Sequence, residues 1–376
     1  KIKENEIMAY PFTDTGYNMY DMLSMIQKSI RRGDYNNAGF SAFQLRNSYR
    51  SLMWKRLLVI SAEDCYGVVT KEIFKLKELD DSKQDDKYLG CAVALLCKNV
   101  KSRDACYFAC NFILDSRNPV DVIAHPQAKV ELQKRLIKNT KSVEEYDQFG
   151  FNQVSLFSNE NPEPEIDKKF EIGAVIQLAV DHRDMDAIGY YSDLIRNAER
   201  DFLWDVLEDY AVEYCKKSVI KEIIGLRKSD TFVNNKKKEK DEIFISKALI
   251  LLCHSNEEKF GSIQGCEMVD LHHFIDWDSY NIKDIKDCDL KNGVIPEWVY
   301  DCHTLKGKKM GKTDWDMTRT EQEALFPLKE CYFDNASWIY TYEQDYRNGS
   351  IDDKGIAPIR EYAKTHETNP VKIIPY

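Results

Sequence analysis

The stretch YDMLSMIQKSIRRGDYNNAGFSAFQLRNSYRSLMWKRLLVISAEDCYG, residues 20–67, decides the fold class. Near its start the apolar residues Met22, Leu23, Ile26 and Ile30 recur at helical spacing, and SLMWKRLLVISAED has a similarly broad apolar face. Apolar residues at i, i+3, i+4 and i+7 line one side of an amphipathic helix. Because strand-like alternation is scarce along the chain, the sequence predicts an all-α protein.

Composition limits the class of protein. The chain has 376 residues, 31% of them charged, and a net charge of -10. Its longest apolar runs, residues 91–97 and 248–253, fall far short of the ~20 residues that a membrane-spanning helix needs. The eleven cysteines show no disulfide-framework spacing, which is typical of reduced thiols and predicts an intracellular protein, cytoplasmic or nuclear. The net charge argues against a surface covered with nucleic acid but leaves room for a local basic patch.

An internal repeat is the most informative feature of the organisation. A shift of 150 residues aligns about fifty residues without a gap, and the aligned identities include a rare Trp and a Cys. They are Arg50 with Arg200, Trp54 with Trp204, Cys65 with Cys215, and Lys71-Glu72-Ile73 with Lys221-Glu222-Ile223. The pattern predicts two tandem related helical bundles.

The domain boundaries follow from this repeat and from the Pro-rich and charged stretches. We predict an N-terminal extension over residues 1–16, a first helical unit over 17–150, a linker over 151–167, and a second, degenerate unit over 168–256. An irregular basic and aromatic segment is predicted over residues 257–376.

Several motifs of the first unit occur together in one known family. They are the turn KSIRRGD (residues 28–34), Lys55-Arg56-Leu57, Ala62-Glu63-Asp64, and KSRDA (residues 101–105) preceded by Ala92 and Leu95. In these motifs, over about a hundred residues, the chain resembles the C-terminal helical region of the MgsA/RarA family, the replication-associated relatives of clamp-loader ATPases that include the Werner-helicase-interacting protein.

The resemblance implies a role without catalysis. In that family the C-terminal region is implied to hold the oligomer together and to contribute to DNA contact, so self-association is one expectation here. No complete Walker A loop precedes these helices in the 376 residues, so no ATP cofactor is predicted. The only phosphate-loop-like stretch, HTLKGKKMGKT (residues 303–313), is one residue short of G-x-x-x-x-G-K-[ST].

Two basic segments are the predicted nucleic-acid contacts. Lys28, Arg31 and Arg32 lie at the end of the first helix, where cations either bind phosphate or offset the helix dipole beside a capping glycine. The second segment is a flexible basic loop flanked by aromatic residues, suited to phosphates and unstacked bases, with a solvated loop as the alternative. Its candidate residues are His303, Lys306, Lys308, Lys309 and Lys312.

The adjacent Glu63 and Asp64 have two interpretations. A pair of carboxylates can serve a metal or a general base. The second repeat keeps Glu213 but has Tyr214 in place of the Asp, which favours a structural ion pair with an arginine of a neighbouring helix. Arg56 and Arg103 are the predicted partners.

No metal site is predicted. Cys106 with Cys110, and Cys266 with His272 or His273, lack a second pair of ligands at a zinc spacing. The function predicted from the sequence is a non-enzymatic DNA-replication or recombination-associated protein that binds DNA or a replication partner. Two alternatives remain: a scaffold subunit without a nucleic-acid role, and an enzyme with a site formed by His303, Lys312 and Glu321.

Overall fold

The described part of the chain, taken from a computed structural model, is helical. It comprises residues 11–67, 69–109, 176–177, 179–180, 188, 200–213, 217–233, 241–253, 295–325, 337–347 and 349–366. Within these ranges, pairing of the strand type is limited to two isolated bridges, Phe12 with Asn18 and Cys65 with Lys101. The all-α prediction is confirmed.

The described ranges contain thirteen α-helices and one 3-10 turn. The α-helices are α1 (Met19–Arg32), α2 (Tyr35–Leu45), α3 (Arg50–Glu63), α4 (Thr70–Lys83), α5 (Asp86–Lys98), α6 (Asp104–Phe108), α7 (Arg200–Glu213), α8 (Lys217–Val233), α9 (Asp241–Cys253), α10 (Leu305–Lys309), α11 (Asp314–Leu325), α12 (Ser337–Arg347) and α13 (Asp353–Thr365). The 3-10 turn is Glu297–Val299.

A tight corner joins α1 to α2 and explains the sequence RRGD. Gly33 adopts the left-handed conformation at φ 65°, and its N–H donates to the carbonyl of Ile30. The N–H of Asp34 donates to Ser29 O at 2.9 Å, which completes a Schellman ending for α1. The Asp34 carboxylate then caps α2 by accepting from the N–H of Asn37. One glycine and one aspartate therefore end one helix and begin the next.

The first compact unit, residues 1–101 with residues 263–330, is organised around α1. This helix packs against α2, α3, α5, α11 and the 3-10 turn. Its apolar face is buried completely, as are Phe40 of α2 and Trp54 of α3. Fully burying each of these large side chains contributes about 1.5–3 kcal/mol relative to exposure. The unit therefore uses chain segments almost 200 positions apart in one core.

The second compact unit, residues 102–262 with residues 331–376, is helical in its described parts. Helix α9 packs against α6, α7 and α8, while α12 packs against α13. The largest fully buried side chains are Trp204, Tyr210, Phe244 and Phe108.

The helix bounds are consistent with the predicted duplication. Helices α3 and α7 each have 14 residues and begin at Arg50 and Arg200, so they keep the 150-residue offset. The aligned Trp54 and Trp204 are both buried, as are the aligned Asp80 and Asp230. The duplication itself stays a prediction.

The segment from residue 257 was predicted to be irregular, but its described parts are largely helical. These residues form α10 to α13 and the 3-10 turn. Helix α10 has only five residues, and α11 is polar over much of its length, so neither produces a strong apolar period. Helix α13 contains Pro358, and because proline usually interrupts a helix, the sequence did not predict this one.

Among the described residues, no helix combines the length and the apolar character needed to cross a bilayer.

Candidate functional site

A cleft of about 240 Å³ in the first unit lies beside both predicted basic segments. It is bounded by the C-terminal half of α1, the 3-10 turn and α11. Its lining includes Lys28, Arg32, Glu297, Trp298, Tyr300, Asp301, Lys312, Asp316, Met317, Arg319, Thr320 and Glu323. The fold therefore places two segments that are about 270 residues apart in sequence at one location.

The charge of Lys28 is directed into the protein. Its Nζ lies 2.6 Å from Asp301 Oδ2 and donates to Val299 O at 2.9 Å, and the side chain is 5% exposed. Burial lowers the pKa of Lys28, and the charge of Asp301 opposes this shift. Burial alone would raise the pKa of Asp301, but the charge and hydrogen bond of Lys28 outweigh it and lower that pKa. Lys28 thus joins α1 to the segment that follows the 3-10 turn.

Arg31 is held by carboxylates from two other helices. Its Nε lies 2.7 Å from Asp64 Oδ1, one Nη lies 3.4 Å from Glu63 Oε1, and the other Nη pairs with Glu321 of α11. The Asp64 side chain is fully buried. Gln27 supplies a further bond, since its Nε2 donates to Asp64 Oδ2 at 2.9 Å. This network ties α1 to α3 and to α11.

The Glu63–Asp64 pair holds an arginine of a neighbouring helix, Arg31. Arg56 lies close to the same carboxylates, because the charges of Glu63 and Asp64 oppose the lowering of its pKa by burial, and its Nη1 donates to Gln27 Oε1 at 3.0 Å. Arg103 belongs to the second unit, where its Nη2 contacts Cys106 Sγ at 3.0 Å.

Arg32 is the cation of this turn that lies in the cleft. Its guanidinium lies over the Trp298 ring, 4.3 Å from the centroid, and donates to the carbonyls of Lys28 and Thr320. Burial, then the nearby charge of Arg31, lowers the pKa of Arg32 to about 10. Stacking on an indole favours a guanidinium over an ammonium. The sequence does not predict this contact, because Arg32 and Trp298 are 266 positions apart.

Residues 303–313 form a folded turn of helix instead of the predicted flexible loop. Thr304 caps α10 by accepting from the N–H of Gly307. A Cβ on Gly307 would lie 1.9 Å from the carbonyl oxygen of Asp301, so only glycine fits this position. The lysines that follow the cap are therefore presented from a fixed backbone.

The basic residues of this segment differ in their surroundings. Lys312 pairs with Glu297 at 2.9 Å, and the Lys306 Nζ lies over the Tyr300 ring at 4.1 Å. Lys308 and Lys309 are exposed on α10, as is His303 before it. Exposed apolar side chains flank them, with Leu305 44% and Met310 45% exposed.

The cleft and the surface of α10 have different electrostatic character. The cleft lining contains four cationic and four carboxylate residues, so it offers no net attraction for an anion. By contrast α10, sequence LKGKK, carries three lysines and no acidic residue. Among the described residues of the candidate site, α10 is therefore a basic surface element, whereas the cleft is balanced in charge.

The three residues of the alternative enzyme site have different partners. Glu321 is 9% exposed and pairs with Arg31, whereas Lys312 pairs with Glu297 and His303 is exposed.

The first unit has a second polar cleft, which the sequence did not predict. It is lined by Arg46, Asn47, Arg50, Lys83, Gln84, Asp85 and Asp86. Arg50 bonds Asp80 and Asp86, and the Trp54 Nε1–H donates to Asp80 Oδ2 at 2.7 Å. The available signal was the recurrence of Arg, Trp and Asp at the same spacing in both repeats.

Comparison with family models, curated proteins and solved structures finds no match. The candidate residues Cys110, Cys266, His272 and His273 lie outside the described residues.

Proposed function

We propose that this protein binds the phosphate backbone of nucleic acid without catalysing a reaction, and that helix α10 is the contact surface. The observation that supports this proposal is the exposure of Lys306, Lys308 and Lys309 within four consecutive residues of one short helix. Lysine ammonium groups neutralise phosphates as point charges and release condensed counterions. Such contacts carry no sequence readout, so the binding is expected to tolerate any base sequence.

The fixed backbone of α10 favours this role over a solvated loop. Because Thr304 caps the helix and Gly307 packs against the backbone of Asp301, binding does not have to order the main chain. The net charge of -10 restricts the contact to this local patch and predicts strong dependence on salt.

A role in replication or recombination rests on the resemblance to the MgsA/RarA helical region, and is proposed on that ground alone. Two residues that contribute to the resemblance, Lys28 and Arg31, are engaged by carboxylates of the fold. What the resemblance adds is therefore a helical framework and an expectation of DNA contact, and α10 lies outside the motifs that carry it.

The test is a titration of fluorescently labelled DNA, single- and double-stranded, followed by anisotropy in 0.1 M salt. Replacing Lys306, Lys308 and Lys309 together by Ala should weaken binding to all sequences at least about tenfold, because each lost phosphate contact removes its counterion release.

A matched control separates local contact from total charge. Lys75, Lys83 and Lys87 are also exposed lysines of the first unit, so their triple Ala variant loses the same charge from a different surface. We expect this control to bind nearly as the wild-type protein does. Equal affinities of wild type and α10 variant would refute the proposal and favour the scaffold alternative.

A further inference from the structure

Three potential metal ligands converge where α10 and α11 begin. The side chains of Cys302, His303 and Asp314 place a sulfur, an imidazole nitrogen and a carboxylate oxygen all within 4.8 Å of one another. The Cys302 Sγ–H donates to Asp314 Oδ1 at 3.0 Å. Cys302 and Asp314 are half-buried and His303 is exposed, so the cluster is open to solvent on one side.

Two hydrogen-bonded turns hold these residues in place, one at Asp301 and one at the start of α11. Asp301 Oδ1 accepts from the N–H groups of His303 and Thr304, which fixes the turn that carries Cys302 and His303. At the start of α11, the Thr313 Oγ1 accepts from the N–H of Asp316, while the N–H of Thr313 donates to Asp316 Oδ2. This reciprocal capping box sets the position of Asp314. The ligand atoms therefore come from two rigid turns, as metal binding with little reorganisation requires.

The donor set selects a class of metal. A thiolate, an imidazole and a carboxylate are the ligands of Zn²⁺, whereas Mg²⁺ and Ca²⁺ prefer oxygen alone. With Zn–ligand bonds of roughly 2.0–2.3 Å, tetrahedral geometry needs ligand atoms roughly 3.3–3.6 Å apart. Small side-chain movements within the observed spacing meet that requirement. One thiolate and one carboxylate also neutralise a divalent ion.

We propose that Cys302, His303 and Asp314 bind one Zn²⁺ ion, with a fourth position left for water or another ligand. On binding, the Cys302 thiol releases its proton to solvent, and both Sγ and the Asp314 carboxylate coordinate the ion. Affinity therefore rises with pH, since the metal competes with a proton for the thiolate and for the imidazole. Three protein ligands leave one position open, unlike structural zinc sites, which four protein ligands close.

This inference goes beyond the proposed nucleic-acid contact and is independent of it. The triple Ala variant of α10 removes none of the three ligands, so it should still bind the metal. Loss of DNA binding with retained metal binding would separate the two proposals in one protein.

The test uses Co²⁺ as a spectroscopic probe on full-length protein stripped of metal with a chelator. We expect one equivalent to produce a thiolate-to-cobalt charge-transfer band that Zn²⁺ abolishes by displacement. Cys302→Ser should remove the band. His303→Ala and Asp314→Asn should each weaken binding roughly tenfold or more, the scale on which even indirect supports of a metal matter.

A matched control uses another half-buried cysteine of the same unit, Cys91. Cys91→Ser should leave the band unchanged. His303→Ala changes an exposed side chain and keeps the test informative if another variant fails to fold. The proposal is overturned if wild-type protein shows no thiolate band at stoichiometric Co²⁺, or if the band survives in Cys302→Ser.

Discussion

The buried arginine network gives the sharpest prediction about stability. Replacing Arg31 by Met keeps much of the side-chain length but removes the guanidinium that pairs with the fully buried Asp64. Removing one partner of a buried pair costs about 3–5 kcal/mol. Glu63 and Glu321 retain some exposure and can turn towards water, and Gln27 still donates to Asp64. These features place the expected loss near about 3 kcal/mol.

Urea unfolding of the full chain, monitored by tryptophan fluorescence, measures this loss. With an m-value of about 2 kcal/mol/M, the midpoint of the first unit should fall by about 1.5 M. Arg319→Met is the matched control, because Arg319 is 45% exposed and lies 3.9 Å from its nearest carboxylate oxygens. An exposed pair of this kind is worth at most about 1 kcal/mol.

The variant Arg31→Met/Asp64→Asn tests the cause. If the cost comes from an uncompensated buried charge, the double variant should lose less stability than the sum of its two single variants. A loss below about 1 kcal/mol in Arg31→Met would refute the structural assignment. Weakened DNA binding in that variant with stability unchanged would instead identify Arg31 as a phosphate contact.

Three further outcomes follow from the same unit. The pKa of Asp301 beside Lys28 is lowered in the folded state. The contribution of Asp301 to stability is therefore complete above the pKa of the unfolded state and is lost as pH falls through the pKa of the folded state. Asp301→Asn should flatten the acid side of a stability–pH curve. Gly307→Ala should cost about 1–3 kcal/mol in urea unfolding, because its Cβ would overlap the Asp301 carbonyl. Asp80→Asn should destabilise the unit and shift the near-UV circular dichroism of Trp54, since it alters the buried acceptor of that indole.

The fold class was predictable from residues 20–67 because each helix there has a wide apolar face and a recognisable end. Gly33 and Asp34 illustrate this, since one supplies the left-handed ending and the other the cap. Helix α10 was not predictable, because five residues are too few to show a period, and its geometry depends on Gly307 meeting the backbone of Asp301.

The candidate site was predicted in part for a related reason. Sequence shows where cations occur but does not show what they face. Lys28 and Arg31 look like a phosphate-binding turn until Asp301, Glu321 and Asp64 are brought to them from distant segments. The lysines of α10 are instead exposed, although the charge of Lys306 also reaches Asp21 of α1. Burial therefore decides which basic segment stays available for a ligand.

The salt dependence of DNA binding tests the central claim most directly. For wild-type protein and the Lys306/Lys308/Lys309 triple Ala variant, the logarithm of the association constant is plotted against the logarithm of salt concentration. Each phosphate contact contributes a slope of about -0.9 on duplex DNA, so loss of three contacts should flatten the slope by about 2.7. Parallel lines for the two proteins would contradict the account, because they would show that α10 makes no phosphate contact.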